Sequence, residues 1–221
     1  MIAIEIINQM IPPLKTSDSA EMAMRWMEEL RTNQLPVLDN GFYQGLISEE
    51  IILEENDLKK KVGDYPLVGK NCYVYFHQHI YEILKVASDN QVEIIAVLDE
   101  DNQFHGVINM EDTITAFAQT AAVQSPGGII VLSLNQIDYS LAEISRLIEA
   151  DNAKILSSCI TNDVLDPSKI KLTLKLNITN LSHIIATLER FGYKIIARFH
   201  ETKQTTSDKE RLDILMRYLD I

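Results

Sequence analysis

The sequence predicts an α+β protein made of two β-α-β-β-α repeats followed by a ferredoxin-like βαββαβ unit. Two observations lead to this prediction. A pattern of roughly 60 residues occurs twice in the first half of the chain, and a different order of strands and helices follows it. Residues 121–128 read AAVQSPGG, and such small, glycine- and proline-containing segments are typical of a boundary between structural units.

The duplication is clearest in two segments that each predict a strand, a turn and a second strand. Residues 35–50 read LPVLDNGFYQGLISEE, and residues 95–111 read IAVLDEDNQFHGVINME. Four residues recur at a shift of 60 or 61: Val37, Leu38, Asp39 and Gly45 correspond to Val97, Leu98, Asp99 and Gly106. The one inserted residue falls in the turn, where an insertion disturbs the pairing least. Asn40-Gly41 is a strong hairpin signal in the first copy.

A helix is predicted before each hairpin and another after it. Apolar residues recur at helical spacing from Ala20 to Met27, and again from Ile80 to Ala87. Asp18 is predicted to cap the first of these helices, with Glu21 completing a capping box. The helices after the hairpins are predicted at 51–53 and 113–117, so that each copy has the order strand, helix, strand, strand, helix.

The last part of the chain predicts six elements in the order β-α-β-β-α-β. They span residues 129–134, 140–150, 154–160, 170–176, 181–191 and 193–199. Alternating residues of the third strand, from Ile170 to Leu176, predict one buried and one solvated face. Asn180 and Gly192 are predicted to begin and end the second helix, and Ser140 with Glu143 predicts a capping box on the first.

The predicted domains are therefore a repeat pair at 1–122, with repeats at about 1–58 and 62–122, and a ferredoxin-like unit at 127–200. Residues 201–221 are predicted to form a loop and a short amphipathic helix, which must dock on other structure to be stable.

Composition restricts the function classes. A formal net charge of −12 opposes nucleic acid or an anionic membrane surface as the main partner. Only two cysteines, Cys72 and Cys159, together with the lack of a signal-peptide pattern and of a long apolar run, predict a soluble cytoplasmic protein. His77 and His79 are the best metal-ligand pair, but no further ligand supports them, so no metal site is predicted. No nucleophile elbow, phosphate loop or dinucleotide fingerprint occurs, and no enzyme activity is expected.

The paired segments LPVLD…GLIS and IAVLD…GVINMED resemble tandem cystathionine-β-synthase (CBS) repeats, over about residues 1–120. The resemblance implies two clefts that bind adenosine nucleotides such as AMP, ADP or ATP, and no required cofactor. It implies the following nucleotide contacts: Thr16, Val37, Ser48, Val97, Asn109 and Asp112. Asp112 would accept hydrogen bonds from ribose hydroxyls, Ser48 and Asn109 would contact phosphate, and the two valines would flank adenine. The sequence departs from the family at Ile51, Asn109 and Phe76. Asp112 and Ser48 are equally well explained as helix caps without a ligand.

The unit at 129–200 resembles an ACT domain, which often binds amino acids at a subunit interface. The family's Asp-x-Pro-Gly motif is replaced by Asp138-Tyr139-Ser140-Leu141, so Asp138 and Ser140 are the positions that the resemblance implies for an amino acid. The order of the whole chain resembles the acetoin utilisation accessory protein family. Two hypotheses follow: a homodimeric nucleotide sensor acting on an unidentified regulated protein, or a ligand-free dimeric scaffold with degenerate sites.

Overall fold

The computed structural model describes residues 1–199. The chain divides into two compact units, Met1–Ala118 and Gln119–Ile221. The α+β class is confirmed by the strands and helices of both units. The loop and short helix predicted at 201–221, and the last residue of the unit predicted at 127–200, lie outside the described residues.

The first unit contains the two repeats in the predicted order. The first copy consists of β1 (Leu14–Lys15), α1 (Ala20–Leu30), β2 (Gln34–Asp39), β3 (Phe42–Ser48) and α2 (Glu49–Glu55). The second copy consists of β4 (Tyr73–Tyr75), α3 (Ile80–Asn90), β5 (Ile94–Leu98), β6 (Phe104–Asn109) and α4 (Met110–Ala118). Each copy forms a three-stranded sheet, in the orders β1-β2-β3 and β4-β5-β6.

The hairpins of the two copies have equivalent registers. Val37 lies opposite Gly45 and Val97 lies opposite Gly106, and in both hairpins the register shifts at the next residue. Asn40 and Gly41 have φ angles of 49° and 88°. Positive φ at both central residues is what a type I′ turn requires, so the sequence signal at this turn is explained.

The segment that precedes each repeat is bonded to the other repeat. The 3₁₀ turn Ala3–Glu5 bonds to the second copy: the amide of Ala3 donates to the carbonyl of Gln78 at 2.9 Å. The equivalent turn, Val62–Asp64, bonds to the first copy through the amide of Val62 and the carbonyl of Asp18, at 2.8 Å. This exchange joins both copies into one hydrophobic core. Apolar periodicity within each repeat carries no signal for it.

The start of α1 corrects one sequence prediction. The cap is Ser19 and not Asp18, because the Ser19 hydroxyl accepts from the amide of Met22 at 3.3 Å. The Asp18 carboxylate instead accepts from the amide of Lys15 at 2.7 Å. The helix begins one residue later than the predicted capping box requires, and Asp18 therefore closes the turn after β1.

The second unit is a four-stranded antiparallel sheet with helices. Its elements are α5 (Ala121–Gln124), β7 (Ile129–Asn135), α6 (Leu141–Ala150), β8 (Ile155–Asn162), β9 (Lys169–Leu176), α7 (Ser182–Arg190) and β10 (Lys194–Phe199). The strand order is β10-β7-β9-β8. From β7 onward the elements follow the predicted β-α-β-β-α-β order, whereas α5 is a short helix inside the segment predicted to be a linker.

The alternation of apolar and polar residues along β9 explains how this strand contributes to the core of the unit. Ile170, Leu172, Leu174 and Leu176 are all buried, as predicted. The opposite face departs from the prediction at Lys175, which is only 9% exposed and donates to the carbonyl of Gly127 at 3.0 Å. The prediction assumed that every lysine of the strand faces solvent, and the chain that enters β7 covers this one.

Candidate functional site

The carboxylate of Asp112 accepts a hydrogen bond from the segment that precedes the first repeat, residues 2–8, which we call the leading segment. Asn8 donates from Nδ2 to Oδ2 of Asp112 at 2.7 Å. The backbone of Asn8 also forms an antiparallel bridge with Val107 of β6, with bonds of 2.7 and 3.2 Å. Asn8 is therefore fixed by its main chain, and its amide occupies Oδ2 of the carboxylate that the resemblance assigned to ribose.

Asn109 and Ser48 have equivalent positions at the starts of α4 and α2. Oδ1 of Asn109 accepts from the amide of Asp112 at 2.6 Å, and the Ser48 hydroxyl accepts from the amide of Ile51 at 3.3 Å. Asp112 is not the helix cap, because it is the third residue of α4 and Asn109 fills the capping role. Each capping bond uses a side-chain oxygen as acceptor, so the Asn109 amide nitrogen and the Ser48 hydroxyl hydrogen keep their capacity to donate to a ligand.

The first copy has no equivalent of the Asn8–Asp112 pair. Val68 occupies the place of Asn8, since it bridges Leu46 of β3 through bonds of 2.7 and 2.9 Å. Ile51 occupies the place of Asp112, as the sequence indicated. The two copies are thus alike in backbone and different in chemistry, and the carboxylate with its amide partner occurs only in the second copy.

Ser48 lies at an acidic cleft of about 680 Å³ between the two copies. The cleft is lined by Asn33, Gln34, Ser48, Glu49, Glu50, Leu53, Glu54, Gln91 and Glu93. Four carboxylates around one hydroxyl produce a negative potential, and a phosphate group would be repelled from it. The geometry therefore disfavours the phosphate contact that the resemblance assigned to Ser48.

Thr16 lies in a different cavity from Ser48. This cavity, of about 560 Å³, is formed by the end of β1 and the β2–β3 turn. The Thr16 hydroxyl is 3.4 Å from an Asp39 carboxylate oxygen. Thr16 and Ser48 therefore line separate cavities.

The second copy has a smaller and more apolar cavity at the equivalent place. It measures about 290 Å³ and is lined by Ile4, Ile7, Gln9, Phe76, Asp99 and His105. Nε2 of His105 lies 2.8 Å from Oδ2 of Asp99. This hydrogen bond, together with backbone amides that include that of Gln103, holds the pKa of Asp99 below its usual value. The sequence did not reveal this pair, because Asp99 follows the end of β5 while His105 lies on β6, and no motif connects the two positions.

Val37 and Val97 are fully buried in the core of the first unit, with 0% exposure each. Val37 on β2 lies opposite Gly45 of β3, and Val97 on β5 lies opposite Gly106 of β6. A purine could contact either valine only after neighbouring side chains had moved. In the present arrangement both valines stabilise the core.

Asp138 and Ser140, the positions implied for an amino acid, have local hydrogen bonds. Asp138 accepts from the side-chain amide of Asn135 at 2.8 Å, and Ser140 caps α6 by accepting from the amide of Glu143 at 3.3 Å. Asp138 is exposed and Ser140 is half-buried. Both bonds stabilise the connection between β7 and α6.

The histidines of the β4–α3 connection have separate roles. His79 caps α3, since its Nδ1 accepts from the amide of Tyr81 at 3.3 Å, and His77 stacks on Tyr75 with ring centroids 6.0 Å apart. Within residues 1–199 no three His, Cys, Asp or Glu side chains cluster as a metal site would require. Over the same range, every helix is too short or too polar to cross a membrane.

Over about half of its length, the chain has the fold of a protein built on a CBS-domain pair. A CBS domain pair/ACT domain protein from Thermotoga maritima superposes with a TM-score of 0.50 and 22% identity, over 54% of this chain and 98% of that chain. Protein MJ1004 from Methanocaldococcus jannaschii superposes with a TM-score of 0.50 and 17% identity, over 55% of this chain and 62% of that chain. The matched share is about the length of the first unit.

Comparison of the sequence alone finds a match of low identity to an enzyme. No family model matches the chain. Inosine-5′-monophosphate dehydrogenase from Methanocaldococcus jannaschii is 23% identical over 156 residues, which are 70% of this chain. The match spans only 31% of that enzyme's length, so the similarity concerns a part of the enzyme.

Proposed function

We propose that the chain is a non-catalytic regulatory protein whose first unit binds an adenosine-class ligand at Asp112. The observation that carries the proposal is the hydrogen bond between Asn8 and Asp112. Two adjacent ribose hydroxyls are donors that can replace the single Asn8 amide on this carboxylate. A ligand that makes this exchange binds only the state in which the Asn8 side chain has left Asp112. We propose that the loss of this bond loosens residues 2–8 on the second copy, although the main-chain bonds of Asn8 to Val107 remain.

The surroundings of Asp112 favour one ligand per chain. Asn109 stands at the start of α4, where backbone amides and the helix dipole favour an anionic group. The equivalent place in the first copy has Ile51 and the acidic cleft, which supply neither a ribose acceptor nor a favourable potential for phosphate. We therefore propose a single nucleotide site of the AMP, ADP or ATP type, at the second copy.

The wider role follows from this switch. Movement of segment 2–8, which bonds to the second copy through Ala3 and Asn8, changes the surface that a regulated protein can contact. We propose that the protein acts in the cytoplasm as a homodimer on such a partner, with no required cofactor and no catalytic step.

A second candidate function is a ligand-free scaffold. It is favoured by the same hydrogen bond, because Asn8 gives Asp112 a permanent partner and no ligand is then needed to satisfy the carboxylate. In that case the two copies serve only to present a fixed surface to another protein.

Calorimetric titration of adenosine, AMP, ADP and ATP into three variants separates the two functions. Asn8→Ala removes the competing donor, and we expect tighter nucleotide binding than in the wild type. Asp112→Ala removes the ribose acceptor, and we expect binding to be lost. Val68→Ala, at the equivalent place of the first copy, is the matched control and is expected to bind as the wild type does.

Saturation at one nucleotide per chain, with the order Asn8→Ala tighter than wild type and Asp112→Ala weakest, would support the sensor. If neither the wild type nor Asn8→Ala binds any of the four compounds, the sensor proposal is wrong and the scaffold remains.

A further inference from the structure

Three aromatic rings follow one another along the edge of the sheet in the second copy. Tyr73 and Tyr75 lie on β4, which is an edge strand, and His77 lies in the turn after it. The ring centroids of Tyr73 and Tyr75 are 5.8 Å apart, and those of Tyr75 and His77 are 6.0 Å apart with nearly parallel planes. The two tyrosines are half-buried and His77 is exposed. We call these three side chains the aromatic row.

The fold of the repeat does not require the aromatic row. Strands β1 and β4 pair in equivalent registers, since Lys15 lies opposite Leu38 and Tyr75 lies opposite Leu98. The first copy has other side chains at the positions equivalent to the row, namely Pro13, Lys15 and Ser17. It therefore forms the same strand without an aromatic ring at any of them, and the repeat alone does not explain the three rings of the second copy.

An acidic turn lies beside the aromatic row. The hydroxyl of Tyr75 donates to Oδ1 of Asn102 at 3.2 Å, which places the row next to the turn between β5 and β6. Glu100 and Asp101 of this turn are exposed, and neither forms an ion pair with another residue of 1–199. Residues 71–109 contain six carboxylates and a single lysine or arginine, Lys85. The electrostatic potential beside the row is therefore negative.

Aromatic faces next to carboxylates attract a cation, because the ring quadrupole and the carboxylate both favour positive charge. Within the described part of the chain, the cations that lie over a ring are Lys60 on Tyr65 and Arg190 on Phe191, so none covers the row. The neighbouring Tyr73 group, followed by loss of solvent, raises the pKa of Tyr75 above its usual value. Its phenol is therefore neutral at physiological pH, and it offers a cation both a ring face and an oxygen acceptor.

The spacing of the rings indicates what carries the cations. In an extended chain every second side chain points the same way, about 6.6 Å from the last. The centroid distances of 5.8 and 6.0 Å are close to this repeat, whereas one small amine would cover a single ring. Arginine fits best, because its planar guanidinium stacks on a ring while its N–H groups donate to a carboxylate. An extended segment with arginines at alternate positions can place one guanidinium at each ring.

We propose that the aromatic row and the acidic turn 99–102 bind an extended, arginine-containing segment of a partner protein. This surface rests on the proposed regulatory function for the existence of a partner, and it gives that partner a stated chemistry. It needs no nucleotide at Asp112.

Fluorescence anisotropy with the full chain and two dye-labelled peptides, blocked at both ends, tests the proposal. The peptide GRSRSRG has arginines at alternate positions. The peptide RGSRSGR has the same composition and charge, but neighbouring arginines point to opposite sides of an extended chain. We expect GRSRSRG to bind about fivefold more tightly than RGSRSGR, and its affinity to fall as salt is added.

Tyrosine substitutions locate the binding surface. Tyr75→Leu removes the central ring and is expected to weaken the binding of GRSRSRG about fivefold. Tyr73→Leu together with Tyr75→Leu is expected to weaken it by at least about tenfold. Tyr81→Leu is the matched control, because Tyr81 is an exposed ring on α3 outside the row, and it should bind as the wild type does.

Two pairs of charge substitutions separate the acidic turn from the net charge of the chain. Glu100→Gln with Asp101→Asn should weaken the binding of GRSRSRG. Glu28→Gln with Glu29→Gln changes the net charge equally on exposed positions of α1, and it should have a smaller effect. Equal effects of the two pairs would contradict the proposal.

The proposal is overturned if GRSRSRG does not bind in low salt at concentrations up to about 1 mM. It is also overturned if RGSRSGR binds as tightly, or if the folded double tyrosine variant keeps the wild-type affinity. Circular dichroism melting shows whether each variant is folded, and if the tyrosine variants do not fold, the two peptides and the charge variants decide. These measurements contain no nucleotide, so failure of this surface and failure of the Asp112 site are distinguishable.

Discussion

Nδ2 of Asn8 lies 2.7 Å from the carboxylate of Asp112, although 104 positions separate the two residues in the sequence. The bond exists because the segment before the first repeat lies against β6 of the second repeat. It connects the start of the duplicated unit to the start of its last helix. A ligand that uses Oδ2 of Asp112 must compete with it, and the strength of the bond is therefore the first quantity to measure.

Asn8→Ala should lower the free energy of unfolding of the first unit by about 1 kcal/mol, because a half-buried carboxylate loses a hydrogen-bond partner. Asp112→Ala should cost a similar amount, and the double variant should cost less than the sum of the two. Urea denaturation of the four proteins measures this coupling. Strict additivity would mean that the bond contributes nothing to stability, and that a ligand meets no competition from Asn8.

The repeat order was predictable because it depends on local signals. Helical spacing from Ala20 to Met27 and the Asn40-Gly41 turn act within a few residues, and the structure confirms both. The sequence could not predict that the segment before each repeat bonds to the other repeat. The contact between Ala3 and Gln78, for example, depends on how the two folded copies pack against each other.

The candidate site was less predictable than the fold. The equivalent positions of Ser48 and Asn109 could be predicted from the repeat, and both residues cap helices. The partner of Asp112, by contrast, comes from a segment in which no motif marks Asn8. Thr16 was grouped with Ser48 by analogy, and its cavity is formed by the β2–β3 turn instead.

Gly45→Ala should destabilise the first unit more than Gly41→Ala does. Both glycines have positive φ, at 141° and 88°, so both variants share the cost of placing an L side chain there. A Cβ on Gly45 would also lie 2.7 Å from the carbonyl oxygen of Val68, whereas on Gly41 it would meet only a flexible Gln103 side chain at 3.4 Å.

We expect about 1–2 kcal/mol for Gly41→Ala and a larger loss for Gly45→Ala, measured by urea denaturation. Equal losses of unfolding free energy in the two variants would show that Val68 does not lie tightly against β3 in solution.

Ser140→Ala should destabilise the second unit by about 1 kcal/mol, since α6 loses its cap. Ser140→Asp keeps a side-chain acceptor for the amide of Glu143 and should retain most of the stability. Thermal unfolding followed by circular dichroism compares the two. If Ser140→Ala and Ser140→Asp are both as stable as the wild type, the capping bond is not the reason for serine at this position, and the amino-acid contact implied by the ACT resemblance gains weight.

The Asp99–His105 pair should make the stability of the first unit depend on acid. The pKa of Asp99 in the folded chain lies below its ordinary value of 3.8. A lowered carboxyl pKa contributes stability that is complete above the ordinary value and is lost as the pH falls through the lower value of the folded state.

His105→Ala removes the largest cause of the lowering, while the bonds from Gln103 and Asp101 remain. The variant should therefore lose less stability than the wild type as the pH falls below the ordinary value of 3.8. Urea midpoints measured across this range test the prediction, with Gln44→Ala, at the equivalent position of the first hairpin, as the control. Parallel curves for the wild type and His105→Ala would contradict it.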